Sequence, residues 1–274
     1  IGNVYLLVRE EDLPMQHDGT RGLSPMQVQV LCDRNFGLGS DGILVLGASD
    51  IADARMLIHN PDASMAEMCG NGIRMAARFL VEHQLVPGST FSIETAGGVM
   101  RPTVHEDGTV RVDMGIATTE GIDTITLADG TALTGRVVSM GNPHFVVLQD
   151  PDDIDIDVVG PPAEHHTRFP NRSNIEFIAV DAPQDVRMRV WERGVGETLA
   201  CGTGACAVGV TSVLDHGAAS PVLVHLRGGD LQIEVDDDLH VFMTGPAAEV
   251  CRGTIDLDAV IAASPYTTTE EIHV

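Results

Sequence analysis

The chain contains no lysine: all 16 basic residues among its 274 are arginine. A pyridoxal phosphate enzyme carries its cofactor as a Schiff base on lysine, so pyridoxal chemistry is excluded as the electron sink. A phosphate-binding Walker loop loses its lysine for the same reason. Long apolar runs are lacking too, since none approaches a membrane span, and the first residues show no signal-peptide pattern. Positive charge is scarce. Against 40 acidic residues it leaves a net charge of −24, which argues against nucleic acid or an anionic membrane as partner. The acid is dispersed, with clusters at 150–157 and 236–238, and reads as a solvated, self-repelling surface. Five cysteines, an odd number without framework spacing, fit a reducing cytoplasm better than a disulfide-stapled secreted fold. His165-His166 sits in a proline-rich stretch without a C-x-x-C companion, so no metal is expected.

What the chain does have is a matched pair of cysteines. Met68-Cys69-Gly70-Asn71-Gly72 recurs as Ala200-Cys201-Gly202-Thr203-Gly204, and each motif runs into a small, apolar, helix-like segment. A thiol at a helix N-terminus feels the positive end of the helix dipole, which favours the thiolate. Two such thiols facing one ligand suit the removal of a proton from one side of a carbon and its return to the other. The duplication extends further. Cys69 lies 28 residues before Gly97-Gly98, and Cys201 lies 27 before Gly228-Gly229. Gly2-Asn3 and Gly141-Asn142 each open an apolar run, and residues 97–115 end as 228–245 do. Four landmarks in the same order, roughly half a chain apart, imply two homologous halves related by pseudo-twofold symmetry.

Alternating patterns predict strands at 4–8, 42–46, 55–59, 91–94, 110–114, 137–139, 145–148, 175–180, 187–191, 223–226, 231–235 and 240–243. Helices are expected at 24–32, with Ser24 as cap and Pro25 in the first position, at 72–83 and at 204–214. Many short strands with one principal helix per half indicate an α+β fold. Each half would be a curved, mostly antiparallel sheet around a central helix, with the active site in the cleft between halves. The join is expected near 116–121. Domains would then span 1–117 and 118–246, with a weakly patterned segment, about 247–274, returning to the first.

The segments AEMCGNGIRMAARF (66–79), GNPHF (141–145), FPNRSNIEF (169–177) and WERGVGETLACGTGACA (191–207) resemble diaminopimelate epimerase, a family of pyridoxal-independent, two-cysteine amino-acid epimerases. The resemblance runs from Gly2 to about Gly253. It implies that Cys69 and Cys201 are the acid/base pair of a cofactor-independent isomerase interconverting LL- and meso-diaminopimelate for lysine and peptidoglycan precursors. Backbone N–H groups near Gly70-Asn71 and Gly202-Thr203 would hold the reacting carboxylate at two helix N-termini. Asn60, Asn142, Asn174 and Arg193 resemble contacts to a distal carboxylate, with Glu192 near an amino group; Asn3 and His144 match positions lining the site. The family also implies a cytoplasmic homodimer acting on a small molecule. Departures from its pattern fall at Val4-Tyr5, Ala63, Met65 and Met75, and none removes a catalytic group.

Other readings stand beside these. Another two-cysteine racemase, for histidine for instance, would use the same thiols on a different side chain. A non-catalytic amino-acid-binding relative would need neither thiol. Cys32, Cys206 and Cys251 are expected to be small buried hydrophobes. The asparagines could be turn residues, Asn60 before Pro61-Asp62 above all. Asp41 could hold a loop, and Arg74 and Arg78, one turn apart, are expected on a solvated or interfacial face.

Overall fold

The structure, a computed structural model, describes residues 1–16, 18–66 and 69–266. Glu67 and Met68 of the first cysteine motif, and 267–274 of the C-terminal segment, lie outside the described residues. The chain divides into two compact units. One holds Asn3–Val104 and the described residues from Ala248 on; the other holds Ile1–Gly2 and His105–Ala247.

In the first unit, β1 (Leu6–Arg9), α1 (Pro25–Cys32), β2 (Ile43–Gly47), β3 (Ala54–His59) and β4 (Met65–Ala66) precede α2 (Gly70–Glu82), β5 (Ile93–Thr95), β6 (Gly98–Met100) and β7 (Thr103–Val104). The sheet order is β1-β2-β3-β5-β6, with β4 on β3. Helix α1 begins where the capping signals place it: Ser24 and Gln27 form a reciprocal capping box, and Pro25 occupies the first turn. Strand β3 alternates buried and half-buried residues. Ile43 and Val45 of β2 join Leu13, Val28, Leu31 and Cys32 in a buried cluster, against which Leu257 packs. α2 is amphipathic, burying Ile73, Ala76, Ala77 and Leu80.

The second unit comprises β8 (Thr109–Ile116), β9 (Thr118–Thr126), β10 (Ala132–Ser139), β11 (Pro143–Leu148), α3 (Ile156–Glu164), β12 (Asn174–Ala182), β13 (Asp185–Glu192), β14 (Gly196–Thr198), α4 (Gly202–His216), β15 (Val222–Leu226), β16 (Gly229–Val235) and β17 (His240–Pro246). Its strands run β8-β17-β16-β15-β13-β12-β11-β10-β9, with β14 on β13. Helix α4 touches β10 to β13 and β15 to β17, so the sheet wraps it. Every residue from Gly204 to Ser212 is buried, as a helix enclosed on all sides requires. Gly209 permits the close approach, since a Cβ there would meet the Ile233 side chain at 2.5 Å.

The duplication is written in the strand pairing. In the first unit β1 and β2 are parallel, β2 and β3 antiparallel, β3 and β5 parallel across α2, and β5 and β6 antiparallel. In the second, β11 and β12, β12 and β13, β13 and β15, and β15 and β16 repeat that order, with α4 in the place of α2. The short strands β4 and β14 lie on equivalent neighbours. The fold is thus α+β and internally repeated.

Three elements depart from expectation. The prolines before His165-His166 lie inside a helix the sequence did not suggest, α3, with the two histidines in the turn that follows it. Strand β9, absent from the expected strands, pairs along its length with β10. The weakly patterned tail forms α5 (Leu257–Ala263), capped by the Asp256 side chain. Nearby, Tyr266 donates to Asp33 at 2.9 Å and His83 pairs with Glu249. Among the described residues no helix is long and apolar enough to cross a membrane.

Candidate active site

Each cysteine of the matched pair is the N-cap of its helix. Cys69 precedes α2 in an extended conformation, and its Sγ accepts the Gly72 N–H at 3.3 Å. Cys201 precedes α4 in a similar conformation, and its Sγ accepts the Gly204 N–H, also at 3.3 Å. The sulfur takes the role usually filled by a Ser or Asp oxygen. A neutral thiol is a weak acceptor, whereas a thiolate there gains a charge-assisted hydrogen bond and the helix dipole. The glycine three residues on gives the sulfur its space. A Cβ at Gly72 would come within 3.3 Å of Cys69 Cβ, and one at Gly204 within 3.2 Å of Cys201 Cβ and 2.8 Å of Glu176 Oε1. The first-turn amides of Gly70 and Asn71, and of Gly202 and Thr203, belong to the set an α-helix leaves without intrahelical partners.

Around Cys69, the Tyr5 hydroxyl lies 3.5 Å from Sγ. Asn71 donates to Asn3 Oδ1, and Asn3 donates to Asp41 at 3.3 Å. Asp41 also takes the Val4 N–H and pairs with Arg34, so it holds the loop. Arg74 corrects the expectation of a solvated face: it is 1 % exposed. Burial is possible because its guanidinium donates to Asn71 Oδ1 at 2.6 Å and to the Gly70 carbonyl at 3.1 Å, bracing the first turn of α2. Arg78 pairs with Glu82 one turn on. Asn60 braces its own turn, where Nδ2 donates to Ser64 Oγ at 2.9 Å and the backbone N–H to the Ser64 carbonyl.

Around Cys201 the groups are denser. Thr203 Oγ1 lies 3.5 Å from Sγ and accepts Asn142 Nδ2 at 3.3 Å. His144, wholly buried, reaches Asn142 Oδ1 through Nε2 at 3.1 Å and Glu176 Oε1 through Nδ1 at 2.7 Å. The Glu192 carboxyl accepts from Thr198. Burial pushes the Cys201 thiol well above its ordinary pKa, and the Glu192 and Glu176 carboxylates add to that push. Burial likewise raises Glu192, reinforced by Glu176.

Asn174 and Arg193 meet through the backbone. Asn174 Oδ1 accepts the Arg193 N–H at 2.9 Å, while its Nδ2 donates to the Pro143 carbonyl. The Arg193 side chain donates to the Asn171 carbonyl at 3.3 Å. Its turn is fixed by Glu164, a residue sequence reasoning passed over. Buried at the end of α3, Glu164 accepts Trp191 Nε1–H and Gly194 N–H, both at 2.8 Å. Glu176 was passed over as well, although an acid between Ile175 and Phe177 in an apolar strand was a visible signal. Cys32 and Cys206 are buried, as expected; Cys251 is exposed, a correction that follows from its place after β17, outside both sheets. Among the described residues no group of three or more His, Cys, Asp or Glu is placed to hold a metal ion.

Solved structures define the class of fold. The chain aligns with a PhzF-family phenazine biosynthesis protein from Bacillus anthracis at TM-score 0.61 and 17 % identity, covering 82 % of this chain and 87 % of that one. A hydroxyproline epimerase from Agrobacterium vitis gives 0.59 and 16 %, covering 80 % and 77 %. A methylitaconate-delta-isomerase gives 0.62 and 14 %, covering 97 % and 96 %. This is the fold those proteins share. Sequence then specifies the family. The diaminopimelate epimerase profile matches residues 1–120 and 136–250. Diaminopimelate epimerase from Moorella thermoacetica is 43 % identical over 94 % of this chain and 97 % of its own. The chloroplastic enzyme of that name from Oryza sativa is 41 % identical over 93 % and 77 %. The chain belongs to the diaminopimelate epimerase family.

Proposed function

We propose that the chain interconverts LL- and meso-diaminopimelate by a two-base proton transfer between Cys69 and Cys201, without a cofactor, as a cytoplasmic homodimer. The observation that carries this reading is the matched pair of sulfur-capped helices within a chain of this family. One cysteine, as thiolate, takes the α-proton. The other, as thiol, gives its proton to the opposite face of the same carbon, and the two have exchanged roles when product leaves. The α-proton of an amino acid is weakly acidic, and the lysine-free chain has no Schiff base to drain the developing charge. That charge flows into the α-carboxylate. The first-turn amides at Gly70-Asn71 and Gly202-Thr203 would hold it there, preorganised where negative charge grows.

The distal end of the substrate is a second amino acid group. In this reading the Arg193 fork engages its carboxylate in two-point contact, with Asn60, Asn142 and Asn174 as further donors and acceptors. Glu192 faces the ammonium; Asn3 and His144 line the site. Incubation with LL-diaminopimelate, no cofactor added, and chiral chromatography of the products tests the reading, with histidine as comparison substrate. Meso product from the wild type, and none from Cys69→Ala or Cys201→Ala, is the expected outcome. Full activity in either variant would refute two-thiol chemistry; turnover of histidine alone would refute the substrate.

A further inference from the structure

Behind Cys201 runs an unbroken line of polar groups within the second unit: Glu176, His144, Asn142, Thr203, and then the sulfur. Its far end is out of water. Glu176 and His144 are both 0 % exposed, and Glu176 Oε2 has no hydrogen-bond partner among the described residues. A buried acid with an unpartnered oxygen is costly, so a compensating role is the natural place to look.

The chemistry of each contact fixes the direction of the line. Asn142 Nδ2 donates to Thr203 Oγ1, which leaves Asn142 Oδ1 facing His144 Nε2. An amide oxygen only accepts, so Nε2 must carry hydrogen. His144 Nδ1, 2.7 Å from Glu176 Oε1, then shares one proton with the carboxyl: an imidazolium beside a carboxylate, or a neutral ring accepting from a carboxylic acid. Both assignments leave Nε2–H in place. At the other end, Thr203 Oγ1 accepts from Asn142, which leaves its own O–H available to donate to Cys201 Sγ, 3.5 Å away, when the sulfur is a thiolate.

We propose that Glu176 is a positioning residue for the proton transfer: by holding His144 with Nε2 protonated, it orients Asn142 and turns the Thr203 hydroxyl into a donor to Cys201. Without Glu176 the ring is free to present bare Nε2. Asn142 would then flip its amide, and Thr203 O–H would bond to Asn142 Oδ1 instead of sulfur. The donor matters because other influences on Cys201 oppose the thiolate. Burial and the carboxylates of Glu192 on β13 and Glu176 on β12 raise its pKa, while the Thr203 hydroxyl and the Gly204 N–H lower it. His144 on β11 also faces this cluster. The inference rests on Cys201 being one of the two bases.

Two measurements test it. In the wild type, 15N NMR of the histidine side chains, with His144 assigned through His144→Gln, should show Nε2 protonated near neutral pH. A bare Nε2 would overturn the inference whatever any variant does. The second is a double-mutant cycle of Glu176→Leu and Thr203→Val, read in the pH profile of kcat/KM. Loss of a hydrogen bond to a charged sulfur predicts about a tenfold loss of kcat/KM in each single variant, with one limb moved to higher pH by about one unit in Thr203→Val, where no carboxylate is lost at the same time. The double variant should be no worse than Thr203→Val alone, because both changes remove the same donor. Multiplying losses, or an unmoved limb, would overturn the inference. A wild type unable to epimerise diaminopimelate would sink the proposed function instead, and the NMR result would still stand by itself.

Discussion

At the scale of single residues, the use of sulfur as a helix cap is the unusual choice. Ser or Asp would satisfy the same amide better, and cysteine becomes a strong acceptor only as thiolate. On the two-base reading proposed above, cap and base are one function, met twice. Ala63 shows the opposite situation, a residue kept against its backbone preference. It has φ +68° in the tight turn between β3 and β4, where Ala63 N–H donates to the Asn60 carbonyl. An L side chain in this left-handed conformation is strained by about 1–2 kcal/mol, of which a glycine's extra unfolded-state entropy takes back part. Ala63→Gly is expected to stabilise the protein by about 0.5–1 kcal/mol, seen as a rise in Tm without loss of activity. An unchanged or lower Tm would place the strain elsewhere.

At the scale of elements, the glycine after each cap controls how the thiol sits. A Cβ at Gly72 meets Cys69 and Leu44 at 3.3 Å, a contact small shifts relieve. At Gly204 it meets the buried Glu176 carboxylate at 2.8 Å, where neighbours cannot yield as freely. Gly204→Ala should therefore reduce kcat by more than tenfold and Gly72→Ala by clearly less, a ranking steady-state kinetics can reverse. The elements read most easily from sequence were those with local signals: the Ser24-Pro25 start of α1, the Gly-flanked starts of α2 and α4, and the alternating strands. Helix α3 escaped because Pro161-Pro162 argues for a loop. Its existence depends on tertiary packing, since Gly160 lets the Trp191 ring close on it and Glu164 anchors the turn carrying Arg193. The cysteines were legible by repetition. Glu164 and Arg74 were not, because their roles come from partners distant in sequence or from burial, and Glu176 showed only as an acid set in an apolar strand.

At the scale of the whole molecule, one topology is used twice, and each copy contributes one sulfur-capped helix. The burial that shapes the second copy also couples stability to pH. The folded-state pKa of Cys201 lies above its unfolded value, so the native state holds that proton more tightly. Its contribution is fully present below the unfolded thiol value of about 8.5 and is lost as pH rises through the folded value. Denaturant titrations from pH 8 upward should show stability falling more steeply in wild type than in Cys201→Ala. Parallel slopes would mean the thiol is not perturbed by folding. Whether two thiols serve opposite faces of one carbon can be read from the placement of deuterium. LL-diaminopimelate is converted in deuterium oxide to low extent, and recovered substrate and meso product are analysed separately by mass spectrometry and NMR. Two-base transfer places deuterium at the inverted α-carbon of nearly every product molecule and almost none in recovered substrate, because the base that removes the proton is not the acid that delivers the deuteron. Equal labelling of substrate and product would contradict it and point to a single base.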